Sequence, residues 1–258
     1  SNDTLSWATV TITIRGTNDV PTVSAADLAG TVTEDASSPN LTDSGTITFD
    51  DVDLTNTHST NVTPAAGNSL GGTLTAMVTD AATGVGDGTV TWSYSVSNSA
   101  AQYLALGQTV TEASTIRISD NSGGYIDQVA VVPVTGTNDV PTVAFADLGG
   151  AATEDASAPN LTDSGTITFD DVDLTDMHST TVTPDAGKLL GGSLSASVTD
   201  AATGVGDGTV TWNYTVANSA VQFLSAGQTA TESFTIRISD NNGGYVDQVG
   251  VVTITGQN

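Results

Sequence analysis

Aspartate recurs in this sequence at spacings that suit a hard cation. The run DDVD puts Asp50, Asp51 and Asp53 directly after the stretch GTITF, and the same run supplies Asp170, Asp171 and Asp173 later in the chain. In a D-x-D loop two carboxylates can project toward one point, as Ca²⁺ requires with its roughly 6 to 8 oxygen ligands. A second cluster, TND, holds Asn18 and Asp19 and again Asn138 and Asp139, just ahead of a proline that stiffens the chain. Isolated acids complete the set: Glu34, Asp35, Glu112 and Asp120 in the first half, and Glu154, Asp155, Glu232 and Asp240 in the second. One such cluster is explained equally well by a solvated acidic loop. Three clusters recurring in the same order weaken that explanation.

Other chemistry is poorly served. The chain has no cysteine, so disulfides, thiolate metal sites and a cysteine nucleophile are all excluded. His58 and His178 occupy equivalent loops, one after each DDVD, but a single imidazole beside hard oxygen ligands makes a poor zinc site. A glycosidase would need a carboxylate pair with one raised pKa in an aromatic-lined cleft. Aromatic residues amount to 5% and fall mostly in strand patterns, so no enzyme is expected. Twenty-nine Asp and Glu against four Lys and Arg give a formal net charge of −25, which disfavours nucleic acid and anionic membrane as partners. No apolar run approaches the roughly 18 residues of a membrane span, so no membrane insertion is expected.

The elements that must position these acids are strands. GTNDVPTV occurs at 16–23 and 136–143, and the same gap-free offset of 120 residues carries TED, ITFDDVDLT, TDAATGVGDGTVTW and IRISDN. The chain is therefore a tandem repeat, with boundaries expected near 16–20 and 136–140. Residues 1–14 align with 121–134, so residues 1–18 read as the last strand of a preceding repeat plus a linker. The two repeats are 19–137 and 138–258. TVTWSYSV and STIRIS alternate apolar with polar residues, as half-buried strands do. Only NSAAQYLALG, at 98–107, suggests a short helical turn, with Ala101, Leu104 and Ala105 facing inward. Dense Gly, Asn and Asp turns and about seven short strands per repeat predict all-β, immunoglobulin-like or cadherin-like sandwiches arranged end to end, with Trp92 and Trp212 anchoring the two cores.

GTNDVPTV, TED, SGTITFDDVDLT, GTVTW, A-x-Q-[YF]-L-x-x-GQT and SDNxGG together resemble the VCBS repeats of large secreted bacterial adhesins, in order and twice. The layout also resembles cadherin repeats. TED resembles the early Glu of such a domain, DVD its D-x-D, the segments around Glu112 and Glu232 the Glu of its D-R-E, and SDN its later Asp. TNDVP resembles the linker D-x-N-D-N-x-P incompletely, since Gly136 stands for the first Asp and Val140 for the second Asn. The resemblance implies calcium at the junctions. If GTITF is strand B and STIRIS strand F, one junction gathers Glu34, Glu112, Asn138, Asp139, Asp171, Asp173 and Asp240. The matching upstream set is Asn18, Asp19, Asp51, Asp53 and Asp120. The expected role is a structural extender of a calcium-dependent bacterial surface adhesin that supports adhesion or biofilm formation, exported by type I secretion and folding outside the cell. It is expected to be a monomer whose partners are neighbouring repeats, with the adhesion target met by other domains. The alternative is that the repeats bind a carbohydrate or surface themselves, through the variable loops at 55–72 and 175–192.

Overall fold

The computed structural model describes residues 7–35, 39–84, 86–157, 159–187, 190–204 and 206–257. The first repeat carries strands β1 (Thr22–Ala26), β2 (Val32–Thr33), β3 (Asn40–Asp50), β4 (Ser59–Pro64), β5 (Thr73–Asp80), β6 (Gly88–Ser97), β7 (Thr109–Ser119) and β8 (Tyr125–Thr135). The second repeats the pattern with β9 (Thr142–Ala146), β10 (Gly149–Thr153), β11 (Asn160–Asp170), β12 (Ser179–Pro184), β13 (Ser193–Asp200), β14 (Gly208–Ala217), β15 (Thr229–Ser239) and β16 (Tyr245–Thr255).

In the first repeat one sheet has the order β1-β3-β6-β5 and the other β2-β8-β7-β4, and the second repeat reproduces both. Pairing is antiparallel except where β2 runs parallel to β8 and β10 parallel to β16. This is the A-B-E-D and C-F-G arrangement of an immunoglobulin-like sandwich, with the first strand split between the two sheets. The split accounts for eight strands where about seven were expected. Each repeat encloses one core between its sheets.

Alternation explains which residues fill that core. Ile47 and Phe49 of β3, Val90, Trp92, Tyr94 and Val96 of β6, Ile116 and Ile118 of β7, and Val132 and Val134 of β8 are all buried. Burying each Val, Ile or Phe side chain stabilises the fold by about 1.5–3 kcal/mol. The Trp92 indole lies across Gly45, where an added Cβ would sit 2.7 Å from the ring and from the Asp27 carbonyl, and its Nε1 donates to that same carbonyl at 2.7 Å. Trp212 does likewise with Gly165 and Asp147. The expected helical turn is a 3-10 turn at Asn98–Ala100, with Ala101, Leu104 and Ala105 buried behind it.

Of the segment read as the end of a preceding repeat, residues 1–6 lie outside the described residues. Residues 7–20 belong to no strand here, and Val10, Ile12 and Ile14 stand exposed. Their counterparts at the offset of 120, Ala130, Val132 and Val134, are fully buried in β8.

Candidate metal centre

Three loops meet where residues 137–139 leave the first repeat and run into the second. The loop after β11 is folded by its own acids. Asp173 donates its N–H to Asp171 Oδ1 at 3.0 Å, and Asp176 donates its N–H to the Asp173 carbonyl at 2.9 Å. The other Asp171 oxygen is 2.9 Å from Nε2 of His178, whose ring packs edge-on against Phe169. This histidine orients a carboxylate. The loop after β15 is shaped by Asp240, whose Oδ1 accepts from the N–H groups of Asn242 and Gly244 at 2.7 and 2.9 Å. A Cβ at Gly244 would fall 2.1 Å from Asp240 Oδ2, so glycine alone fits there.

The linker ties both loops together. Asn138 Nδ2 donates to Asp240 Oδ2 at 2.9 Å, and the Asp139 N–H donates to Asp173 Oδ2 at 2.8 Å. From the first repeat, Glu34 accepts the Thr137 N–H at 3.1 Å together with the Thr137 hydroxyl and the Gln102 amide. The 3-10 turn holds that glutamate in place, because the Asn98 side chain pairs with both the N–H and the carbonyl of Asp35.

The result is a concentration of anionic oxygen. Asp171, Asp176 and Asp240 are buried, and each offers a carboxylate oxygen within 4.8 Å of the other two. Burial, reinforced by Asp176, Asp171 and Asp139 and opposed by the Asp139 N–H, pushes the Asp173 carboxyl up to about 7. Burial first, then Glu34 and Asp171, raises Asp139 as well. Arg117 and Arg237 do not relieve this charge, since each forks onto an aspartate of its own hairpin, Asp127 or Asp247. Three buried oxygens, Asn138 Oδ1, Asp139 Oδ2 and Asp173 Oδ1, have no hydrogen-bond partner. Unpartnered hard oxygens among crowded carboxylates fit Ca²⁺ in donor type and number.

The structure thus brings together Glu34, Asn138, Asp139, Asp171, Asp173 and Asp240. At the start of the first repeat it arranges the matching set alike. Asn18 donates to Asp120 at 2.8 Å, Asp19 N–H to Asp53 at 2.7 Å, and Asp53 N–H to Asp51 at 2.9 Å, while Asp51 meets His58 at 3.0 Å. Glu112 does not join either group. Its carboxylate accepts the Leu70 and Gly72 N–H groups at 2.7 and 3.0 Å and the Tyr94 hydroxyl at 2.7 Å, inside the first sandwich. Strand parity gives the reason: Glu112 shares the inward face of β7 with Ser114, Ile116 and Ile118. Glu232 is held identically by Leu190, Gly192 and Tyr214. Asp176 and the histidine buttresses were missed, although D-x-D-x-x-D and the His that follows were visible signals.

No family model matches the chain, and comparison with curated proteins gives no match. Solved structures that it resembles include mouse clustered PcdhgC3 EC1-3, at 13% identity and TM-score 0.43, covering 93% of this chain and 68% of that one. Mouse cadherin-23 EC22-24 matches at 13% and 0.43, over 93% and 67%. Drosophila N-cadherin EC1-4 matches at 11% and 0.41, over 93% of this chain and 50% of the other. At these levels the fold rests on the strand order of this chain, and its function on its own side chains.

Proposed function

We propose that this chain is a structural segment of an extracellular adhesin, in which Ca²⁺ bound between consecutive repeats holds them in a stiff, extended row. The observation that carries this reading is the set of buried, unpartnered oxygens of Asn138, Asp139 and Asp173 beside Asp171, Asp176 and Asp240. Glu34 from the first repeat, Asn138 and Asp139 from the linker, and Asp171, Asp173, Asp176 and Asp240 from the second repeat would hold the ion. The ion supplies positive charge that Arg117 and Arg237, each engaged on its own hairpin, do not bring, and so ties two domains and their linker at one point. The VCBS-like motifs in their order support a bacterial, secreted origin, and the lack of cysteine suits a chain that folds without oxidising machinery. No helix among the described residues is long and apolar enough to cross a membrane.

Folding coupled to export follows from the same electrostatics. Extracellular calcium modules bind with dissociation constants of about 10⁻⁴ to 10⁻³ M, far above cytosolic calcium, and a charge of −25 destabilises the compact state until cations arrive. Calcium at ten to a hundred times the dissociation constant adds about 1.4–2.7 kcal/mol per site. The melting temperature should therefore rise by several degrees between chelator and millimolar calcium. An unchanged melting temperature refutes the reading.

A further inference from the structure

The acidic loops of the two cation clusters differ in charge at one position. Residue 176 is aspartate, and its counterpart in the first repeat is Asn56. We propose that this position grades calcium affinity along the row: Asp176 makes the joint between the repeats the tighter site, and Asn56 makes the cluster at the start of the first repeat the weaker one. The inference rests on the calcium reading above and adds to it that successive joints stiffen at different calcium concentrations.

Two consequences of the exchange are visible. The first is charge. Asp176 is buried, is oriented by Asn242 Nδ2 at 2.8 Å, and presents an oxygen to the same point as Asp171 and Asp240. Asn56 brings a neutral amide to the matching place, and its Oδ1 accepts from the Ser122 hydroxyl at 3.3 Å. The second is competition for a neighbouring ligand. The Asn56 amide donates to Asn18 Oδ1 at 3.0 Å, so that carbonyl oxygen is already engaged. A carboxylate cannot donate in this way. In the second repeat the corresponding oxygen, Asn138 Oδ1, is buried and unpartnered, as is Oδ1 of fully buried Asp173. One substitution therefore removes a negative ligand and also occupies a neutral one. Calcium sites tune their affinity through the number of charged ligands and the rigidity of the cage, and here both change in the same direction.

The test is calorimetric titration of CaCl₂ into the chelated full chain, for the natural sequence, Asp176→Asn and Asn56→Asp. The natural chain should show a tighter and a weaker class of site. Asp176→Asn should weaken the tighter class on the order of tenfold or more, and Asn56→Asp should strengthen the weaker class by a comparable factor. Circular dichroism in chelator establishes that each variant is folded. If Asp176→Asn loses its fold, Asn56→Asp decides alone, because it predicts a gain. Calcium binding that neither exchange alters overturns the grading while leaving the calcium reading intact. No calcium heat from the natural chain up to several millimolar overturns both.

Discussion

Two buried carboxylates, one in each repeat, do opposite things, and their donors explain why. Glu112 is satisfied by two backbone N–H groups and a tyrosine hydroxyl, so nothing in its surroundings asks for an ion. Asp173 keeps one buried oxygen without any donor. Glu112→Gln turns one acceptor into a second donor facing donors. It should cost about 2 kcal/mol of stability while leaving calcium affinity unchanged, as urea unfolding paired with calcium titration would show; an affinity loss would restore Glu112 as a ligand. Burial, then the hydrogen bond to Glu112, also holds the Tyr94 hydroxyl well above its ordinary pKa, and Tyr214 behaves the same way. Because the folded state keeps these protons more tightly than the unfolded chain, the stability they contribute is whole below about pH 10 and falls as pH rises further. The double variant Tyr94→Phe/Tyr214→Phe should have a flatter alkaline limb in urea midpoints measured from pH 8 to 11. Parallel curves would refute this.

Strands decide what each acid can reach, and strands were the most legible part of the sequence. GTITF and STIRIS were read as the second and sixth strands of a seven-stranded sandwich. They are β3 and β7, paired as that reading requires with β6 and with β4 and β8. Parity along β7 puts Glu112 inward too, a signal that the likeness to a ligand motif left unused. The division of the first strand was harder to read, because it follows from a close approach between distant residues. Gly30 sits between β1 and β2, and a Cβ there would fall 2.8 Å from Val132 and 3.3 Å from Trp92. Contacts of that kind leave no periodic trace. Asp176 was missed for a related reason, since a carboxylate three residues beyond D-x-D becomes a neighbour only once the loop turns back through its N–H to Asp173. The packing of indole on glycine is the element most exposed to test. Gly165→Ala forces a methyl against Trp212 and the Asp147 carbonyl, and overpacking of this kind costs about 1–3 kcal/mol. A lowered urea midpoint with altered tryptophan emission is expected, whereas a neutral result would mean that β9 is not held by that contact.

At the scale of the whole molecule, the sandwiches and the joint are stabilised by different forces. Each repeat has its own apolar core, closed between its two sheets. The joint carries an excess of buried negative charge, so its rigidity depends on what neutralises it. This separation suits an extender, in which folded units persist while the stiffness of the row follows calcium outside the cell. Replacing Asp171 and Asp173 with Ala should accordingly leave both sandwiches folded and free the hinge between them. Small-angle X-ray scattering of the full chain tests this most directly. The account predicts a long, narrow, well-defined particle in millimolar calcium, and a shorter, broader distribution both in chelator and for Asp171→Ala/Asp173→Ala in calcium. Profiles that are the same with and without calcium, or an equally long and rigid double variant, would contradict it.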